Sequence, residues 1–580
     1  MHSLRNVGAL AVTVLLLVSG CQSASDDSPT VIISVLGTND VHGSLLPVDG
    51  NRGLALLGGY VRNLRQVREQ DGGAVLLIDA GDMWQGTIES NLSEGASVVA
   101  AFNALGYTAA AIGNHEFDFG PAGPQATPET ESDDAQGALK TRAREADFPL
   151  LAANLIDKTT GRPVKWPNVR PSLTIERRGF RIGIIGVMTK HALLTTIASN
   201  TRGLSVAPLS LAIVREAQAL RKAGADLIIV TAHAGSHCER FNDPGDLSSC
   251  DLAGEIMQVA LDLPAGLVDQ IIGGHVHQGI AHEVNGIAIT SSFSDTRAFG
   301  RVDYVFNRAN RGLIYRQIFE PQPICGFVDN TTGRCVAASE AAGATQVARY
   351  ADRAVAPNAE VVEIAELAAQ RGSELKSEKL GVFLETPITR AGFSNSAIGH
   401  LFTDIVLDAV GGDVVIHNVV GGIRADLPQG DLTYGSVYQM YPFDNVVVRL
   451  DLTGAELRQI AKREAFKAGR RAGFSGMRVF VSCNDNELDV AMIRQGGTAI
   501  DDDDVLEVLT TDFLATGGDD VLTPIIPADG FPIDTNQPLV REAIADWLRK
   551  RGGNLSASTF SDAGNPKWNI AASAATECSP

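Results

Sequence analysis

Along this chain, short apolar runs stop abruptly at a glycine or a polar residue, and amphipathic stretches follow them. Residues 31–36, 75–78, 109–112, 182–187, 227–230, 271–272 and 287–289 are such runs, and each predicts a buried strand. Residues 54–66, 97–105 and 209–221 place apolar side chains at helical spacing. The alternation predicts a layered α/β unit over residues 31–336, with its chemistry on the loops that leave the strands. Segment 120–137, rich in Pro, Gly and acidic residues, predicts a surface insertion at the rim of a cleft.

Beyond residue 336 the pattern changes. Residues 337–379 are Ala-rich and charged, with helical spacing through 361–375 and no strand pattern, as expected of a connector. Residues 380–575 predict a second, smaller α+β unit, with helices over 397–410 and 454–463 and strands over 414–416, 446–450 and 505–510. Asp501 to Asp504 predict a solvated turn. At the start, residues 1–20 hold Arg5 and an apolar core too short to span a bilayer, which predicts a secretory signal. Val18-Ser19-Gly20-Cys21 resembles a bacterial lipoprotein cleavage site and predicts lipid attachment at Cys21, followed by a polar tether over residues 21–30.

At 580 residues the chain is too long for one hydrophobic core, which agrees with two domains. A formal charge of −20, with no long Lys/Arg run, argues against DNA, RNA or an anionic membrane surface as the main partner. Small anions stay compatible, because local arginines and bound cations can dominate the field inside a cleft. Of the seven cysteines, Cys21 is set aside for lipid, and the remaining six suggest the pairs Cys238–Cys250, Cys325–Cys335 and Cys483–Cys578. There is no C-x-x-C pair to favour zinc.

The candidate chemistry lies where the apolar runs end. Gly113-Asn114-His115-Glu116-Phe117-Asp118 puts an amide, an imidazole and a carboxylate within one turn of chain, and Asp40, His42, Asp82, His233, His275 and His277 follow other runs. A pair of divalent cations needs one bridging carboxylate and a mixed His, Asp and Asn set around each ion. Asp82 is the expected bridge, with Asp40, His42 and His277 completing one site and Asn114, His233 and His275 the other. Mn²⁺, Zn²⁺, Co²⁺ and Ca²⁺ are all compatible with such mixed donors. Glu116 and His237 read as ordinary helix-start or loop residues.

These motifs, Thr38 to Gly43, Gly81-Asp82, Gly113 to Asp118, Thr231-Ala232-His233 and Gly273-Gly274-His275-Val276-His277, resemble those of the calcineurin-like metallophosphoesterases. Within that group the likeness is to secreted 5′-nucleotidases and UDP-sugar hydrolases, in which Gln is common at the place of His277. The resemblance implies a four-layer α/β/β/α catalytic domain, a hydroxide shared by the metals as nucleophile, and contact of His115 with the phosphate, assisted by Asp118.

In the second unit, Gly421-Gly422-Ile423-Arg424 lets backbone approach an anion beside a guanidinium fork. Phe443 and Phe513 each stand next to turn residues, as two plates gripping a base require. The resemblance extends here: Phe443 and Phe513 are expected to sandwich the nucleobase, Asp519 to bind the sugar hydroxyls and Arg424 to bind phosphate. Asn418 is displaced by one position from the family's pattern, and Gly392 falls where an Arg is expected, so Arg390 is the nearest substitute. The expected activity is phosphate release from nucleoside 5′-monophosphates, with di- and triphosphates as further substrates. Alternatives are a UDP-sugar pyrophosphatase or 2′,3′-cyclic nucleotide phosphodiesterase, a thiosulfohydrolase of sulfur oxidation, and a non-enzymatic surface binding protein.

Overall fold

Strand Thr30–Thr38 is apolar from Val31 to Leu36 except at Ser34, as suits a strand covered on both faces. The computed structural model describes residues 28–123, 125–340, 345–391, 396–467, 471–484, 487–527, 530–534, 537–560, 566–571 and 578. The expected signal, Cys21 and most of the tether lie outside the described residues, as does Gly392.

Thr30–Thr38 sits inside a seven-stranded sheet whose spatial order is Leu313–Pro323, Ala298–Asn307, Thr30–Thr38, Ala74–Asp79, Ala109–Ala111, Leu150–Leu151, Val169–Arg170. It runs parallel to Ala74–Asp79 and antiparallel to Ala298–Asn307. A six-stranded sheet faces it, in the order Gly279–Val284, Ile287–Ser292, Gln270–Gly273, Leu227–His233, Phe180–Met188, Ser172–Arg177. Ile33, Val35, Leu76 and Ile78 from the first sheet meet Ile182, Ile184, Ile229 and Ile272 from the second in one dry core. Helices Leu54–Gln70 and Ala96–Leu105 cover the outside of the first sheet, and Leu209–Lys222 and Glu255–Asp262 the outside of the second. The result is the expected α/β/β/α layering.

Two expectations need correcting. Segment 337–379 contains strands Thr345–Val347, Arg349–Tyr350 and Arg353–Ala354. Thr345–Val347 pairs with Phe327–Asp329, a partner outside the segment that local pattern cannot reveal. Its helix, Ala359–Ser377, buries Val361, Ala365 and Ala368 in the first region's core. The described residues of 120–137 stay off the cleft, where Phe119 is the nearest lining residue. Gly123 N donates to Glu94, and the buried Asn200 donates its Nδ2 to the Ala126 carbonyl, which ties the insertion down beside Phe119.

The C-terminal region builds two further cores around helices Ala397–Val410, Gly454–Ala465 and Val540–Arg551. Ile88, from the first region, is buried in one of them. The three cysteine pairs are joined as expected: Cys238–Cys250, Cys325–Cys335 and Cys483–Cys578. No helix among the described residues is long and apolar enough to cross a membrane.

A buried polar network joins the two segments that carry Phe443 and Phe513. Tyr441 Oη donates to Asn445 Oδ1 at 2.9 Å, and Asn445 Nδ2 to Asp512 Oδ1 at 2.8 Å. The same Asp512 oxygen accepts from Phe513 N at 2.9 Å, while Arg541 Nη1 donates to the Phe443 carbonyl at 3.0 Å. Burial pushes the Asp512 carboxyl up to about 6 despite these donors. An acid raised on folding binds more protons folded than unfolded between its unfolded pKa, near 4, and its folded one, so its contribution falls as pH rises through that window. Asp512→Asn is therefore expected to gain stability relative to the parent as pH rises from about 4 to about 7, by about 3 kcal/mol in all. Urea unfolding of both chains across that range measures it; a pH-independent difference would contradict the assignment.

Candidate active site

Five loops leave the C-terminal ends of the strands and converge, and their backbones are unusual. Asp40, His42, Asp82, His275 and His277 have φ of 49°, 48°, 58°, 76° and 59°. Non-glycine residues seldom adopt such angles, and clusters of them occur where surrounding contacts force side chains toward a function. Space is equally tight: a Cβ on Gly113 would collide with Asp82 Oδ1, and one on Gly81 would lie 2.9 Å from His233 Nδ1.

Two groups of donor atoms result, Asp40, His42 and His277, and Asp82, His233 and His275, each with all its ligand atoms within 4.8 Å of one another. In the second group His233 Nδ1 lies 2.9 Å from the Ala80 carbonyl, which fixes the proton there and turns the Nε2 lone pair inward. Nε2 then faces Asn114 Oδ1 at 3.0 Å, Asp82 Oδ2 at 3.2 Å and His275 Nδ1 at 3.2 Å. Asn114 Nδ2 donates to the Thr195 carbonyl, so its oxygen is the atom that points in. In the first group His42 Nδ1 meets the Gln85 carbonyl at 2.8 Å, leaving Nε2 to face His277 Nε2 at 3.0 Å, with Asp40 Oδ1 3.3 Å from the latter. Lone pairs aimed at one another across about 3 Å repel unless a cation lies among them, so both donor sets fit a divalent ion.

Electrostatics point the same way. Burial opposes ionisation of Asp82, yet the imidazoles of His233 and His115 hold it well below the usual carboxylate range. Burial also opposes charge on His233, but Asp82 and Asp40 pull it up to about 10, while burial and His233 press His275 down to about 3. The buried carboxylates thus demand positive charge, and on their own they draw a proton onto His233.

His115 stands beside this cluster. Its Nδ1 lies 2.6 Å from Asp118 Oδ2, its backbone N donates to Asp82 Oδ1 at 2.9 Å, and Thr196 Oγ1 donates to the other Asp118 oxygen at 2.8 Å. Burial alone would lower the His115 pKa, but Asp118 and Asp82 raise it. Glu116 is no bystander. It is buried and accepts from the backbone N of Asp82, Met83 and Gly113 at 2.9, 2.7 and 2.6 Å, stitching two donor loops together. Burial and the neighbouring Asp82 push its carboxyl up to about 7. Of its three partners only Gly113 N is local in sequence, and the other two come from a loop more than thirty residues away, so spacing alone does not reveal the role.

The C-terminal region forms the opposite wall of a single cleft of about 1280 Å³. Arg424 Nη2 lies 3.0 Å from His42 Nε2, and its guanidinium is 5.9 Å from the Phe443 ring. Phe443 stacks on His115 with centroids 5.7 Å apart, whereas the Phe513 ring packs over Gly518, so the two rings share the cleft but touch different neighbours. Asp519 lines the cleft and accepts from Asn418 Nδ2 at 2.6 Å, which gives the displaced asparagine a role that its spacing does not announce. Arg390 does not line the cleft: its Nη1 donates to the Ile423 carbonyl and its backbone N to Asp426. His237 is exposed on the rim. A third cluster, Cys238, Cys250 and His282, offers no thiolate because its cysteines are joined to each other.

Residues 33–279 match the family described as calcineurin-like phosphoesterase, and residues 376–524 match 5′-nucleotidase, C-terminal domain. The chain is 26% identical to Protein UshA of Escherichia coli (strain K12) over 609 residues, covering 97% of this chain and 99% of that protein. Among solved structures, a 5′-nucleotidase precursor from Thermus thermophilus superposes with a TM-score of 0.69 at 21% identity, covering 93% of this chain and 99% of that one. The sulfate thiohydrolase SoxB from Thermus thermophilus reaches 0.66 at 15% identity, over 93% and 97% of the two chains. This chain therefore has a calcineurin-like metallophosphoesterase fold related to the bacterial UshA and 5′-nucleotidase family, and its paired donor clusters make it a metal-dependent hydrolase.

Proposed function

We propose that this chain is an exported, lipid-anchored enzyme that releases phosphate from nucleoside 5′-monophosphates. The observation that carries this reading is that two donor clusters and a wall bearing Phe443, Phe513, Asp519 and Arg424 open onto one cleft. The division of labour follows: residues 31–336 hold the reacting phosphate, residues 380–575 hold the nucleoside, and residues 337–379 join them. Three disulfides support an oxidising compartment, and Cys21 behind an apolar leader supports the anchor.

Asp40, His42 and His277 would hold one cation, Asn114, His233 and His275 the other, with Asp82 reaching both. Cations bound there supply Lewis acidity, lowering the pKa of water and neutralising charge on phosphoryl oxygens. His115 presents Nε2 to the cleft while Asp118 fixes the proton on Nδ1, so Nε2 can donate to a phosphoryl or leaving oxygen in its imidazolium form. Asp118 is in turn oriented by Thr196. Arg424 offers a planar fork to a phosphate next to the first cluster. Phe443 and Phe513 offer apolar faces to a base, and Asp519 offers acceptors to ribose hydroxyls.

A panel of nucleoside mono-, di- and triphosphates, UDP-sugars, 2′,3′-cyclic nucleotides and a thiosulfate conjugate, assayed after chelation and readdition of each metal, tests the reading. AMP is expected to be cleaved, with kcat about 10² to 10⁴-fold lower in His115→Ala and metal content unchanged. Conjugate cleavage without AMP cleavage would favour the thiosulfohydrolase alternative, and no cleavage of any member would favour a binding protein. Glu116→Gln sets an amide N–H₂ against the backbone N–H groups that the carboxylate now accepts. It is expected to weaken metal retention in chelator competition by about tenfold or more; unchanged retention would remove Glu116 from the framework.

A further inference from the structure

The site occupies the C-terminal ends of the parallel strands, and the opposite ends carry a second concentration of exposed side chains. Strands of seven to nine residues separate the two poles by roughly 25 Å. Asn307 pairs with Thr30, so the turn that follows strand Ala298–Asn307 lies at the far pole. Immediately after that turn come Leu313, Ile314 and Tyr315, which are 44%, 51% and 55% exposed. Three consecutive large apolar residues in the open, on the outermost strand of a sheet, are what a soluble surface ordinarily avoids.

Arginines occupy the turns at the same pole. Arg311 pairs with Asp226 and donates to the Gly179 carbonyl. Arg181 donates its backbone N to the same Asp226 and its guanidinium to the Ala223 carbonyl, and Arg178 Nε donates to the Gly73 carbonyl. With Arg308, four arginines stand on turns at this pole, and the Arg311 guanidinium faces the carboxylates of Asp226 and Glu176. The chain also enters the fold here: Arg308 donates its backbone N to the Pro29 carbonyl at 2.9 Å and its Nε to the Ser28 carbonyl at 3.1 Å. Cys21 lies seven positions before Ser28, within at most about 25 Å of extended chain.

We propose that this pole is a lipid-facing surface. Leu313, Ile314 and Tyr315 enter the boundary between headgroups and acyl chains, the arginines meet headgroup phosphates, and the cleft at the other pole faces away from the bilayer. The direction of approach rests on the anchor reading above; the surface chemistry does not. The charge of −20 does not oppose such docking locally, because charges farther away than a Debye length of about 8 Å are largely screened.

The unlipidated chain from Gln22, which retains every described residue, is sedimented with vesicles of phosphatidylethanolamine and phosphatidylglycerol or of phosphatidylcholine alone. Binding to the anionic vesicles is expected to be roughly tenfold tighter, to fall in high salt, and to drop about tenfold or more in Ile314→Asp/Tyr315→Asp, with AMP hydrolysis unchanged. Absence of vesicle binding, or binding indifferent to the substitution, overturns the proposal. So does a dimer in sedimentation equilibrium that the same substitution dissociates, which would assign the strand to a second copy of this chain. The mass of the mature N-terminus tests the anchor separately: vesicle binding without an acylated Cys21 keeps the surface and removes the anchor, and an acylated protein whose Gln22 form ignores vesicles removes the surface alone.

Discussion

Asp40 and Asp82 are 0% and 2% exposed, and two carboxylates so deep in a protein cannot stay ionised unless positive charge sits beside them. Much of the catalytic region's loop structure answers that requirement. Imidazoles from His233 and His277 lie within 3.3 Å of the two carboxylates, and backbone N–H groups of His275 and His115 donate to their oxygens. The remaining lone pairs of His42, His233 and Asn114 are aimed inward by hydrogen bonds on their far sides. On its own the cluster must draw in a proton, as His233 does, and a pair of cations would supply the same positive charge.

The fold supplies the rigidity that such a cluster needs. Parallel strands with both faces buried deliver the five loops to one edge, and left-handed backbone at Asp40, His42, Asp82, His275 and His277 turns the side chains toward a common point. Glu116 ties the Asp82 loop to the Asn114 loop through three backbone N–H groups, so a residue outside both donor clusters governs the spacing of those within them. The second region contributes differently. It lays Arg424 against His42 and Phe443 against His115, and Gln85 Nε2 and Asn91 Nδ2 both donate to the Pro442 carbonyl at 3.2 Å, bringing the C-terminal wall to the donor clusters.

Much of this was legible in the sequence, for a physical reason. Runs such as 31–36, broken only at Ser34, and 227–230 are apolar enough to be strands. The loops that leave parallel strands of an α/β layer are all carried to one edge, so Asp40, Asp82, Asn114, His233 and His275 could be grouped from the sequence alone. Helix Ala397–Val410 could be placed to the residue because Ser396 caps it and Gly411 ends it. Other features depend on partners remote in sequence. The short strands at Thr345–Val347 and Arg349–Tyr350 have no periodicity of their own, the Asn418–Asp519 bond spans 101 residues, and Arg390 is turned toward Ile423 by a packing detail that no spacing encodes. Left-handed φ at particular aspartates and histidines is likewise not legible, because most residues of both types adopt ordinary backbone despite their enrichment there.

Crystals grown with Mn²⁺ and measured at its absorption edge test the central claim most directly. Two anomalous peaks per chain are predicted, one among Asp40, His42 and His277 and one among Asn114, His233 and His275, with the Asp82 carboxylate reaching both. A single peak, or peaks elsewhere, would contradict it.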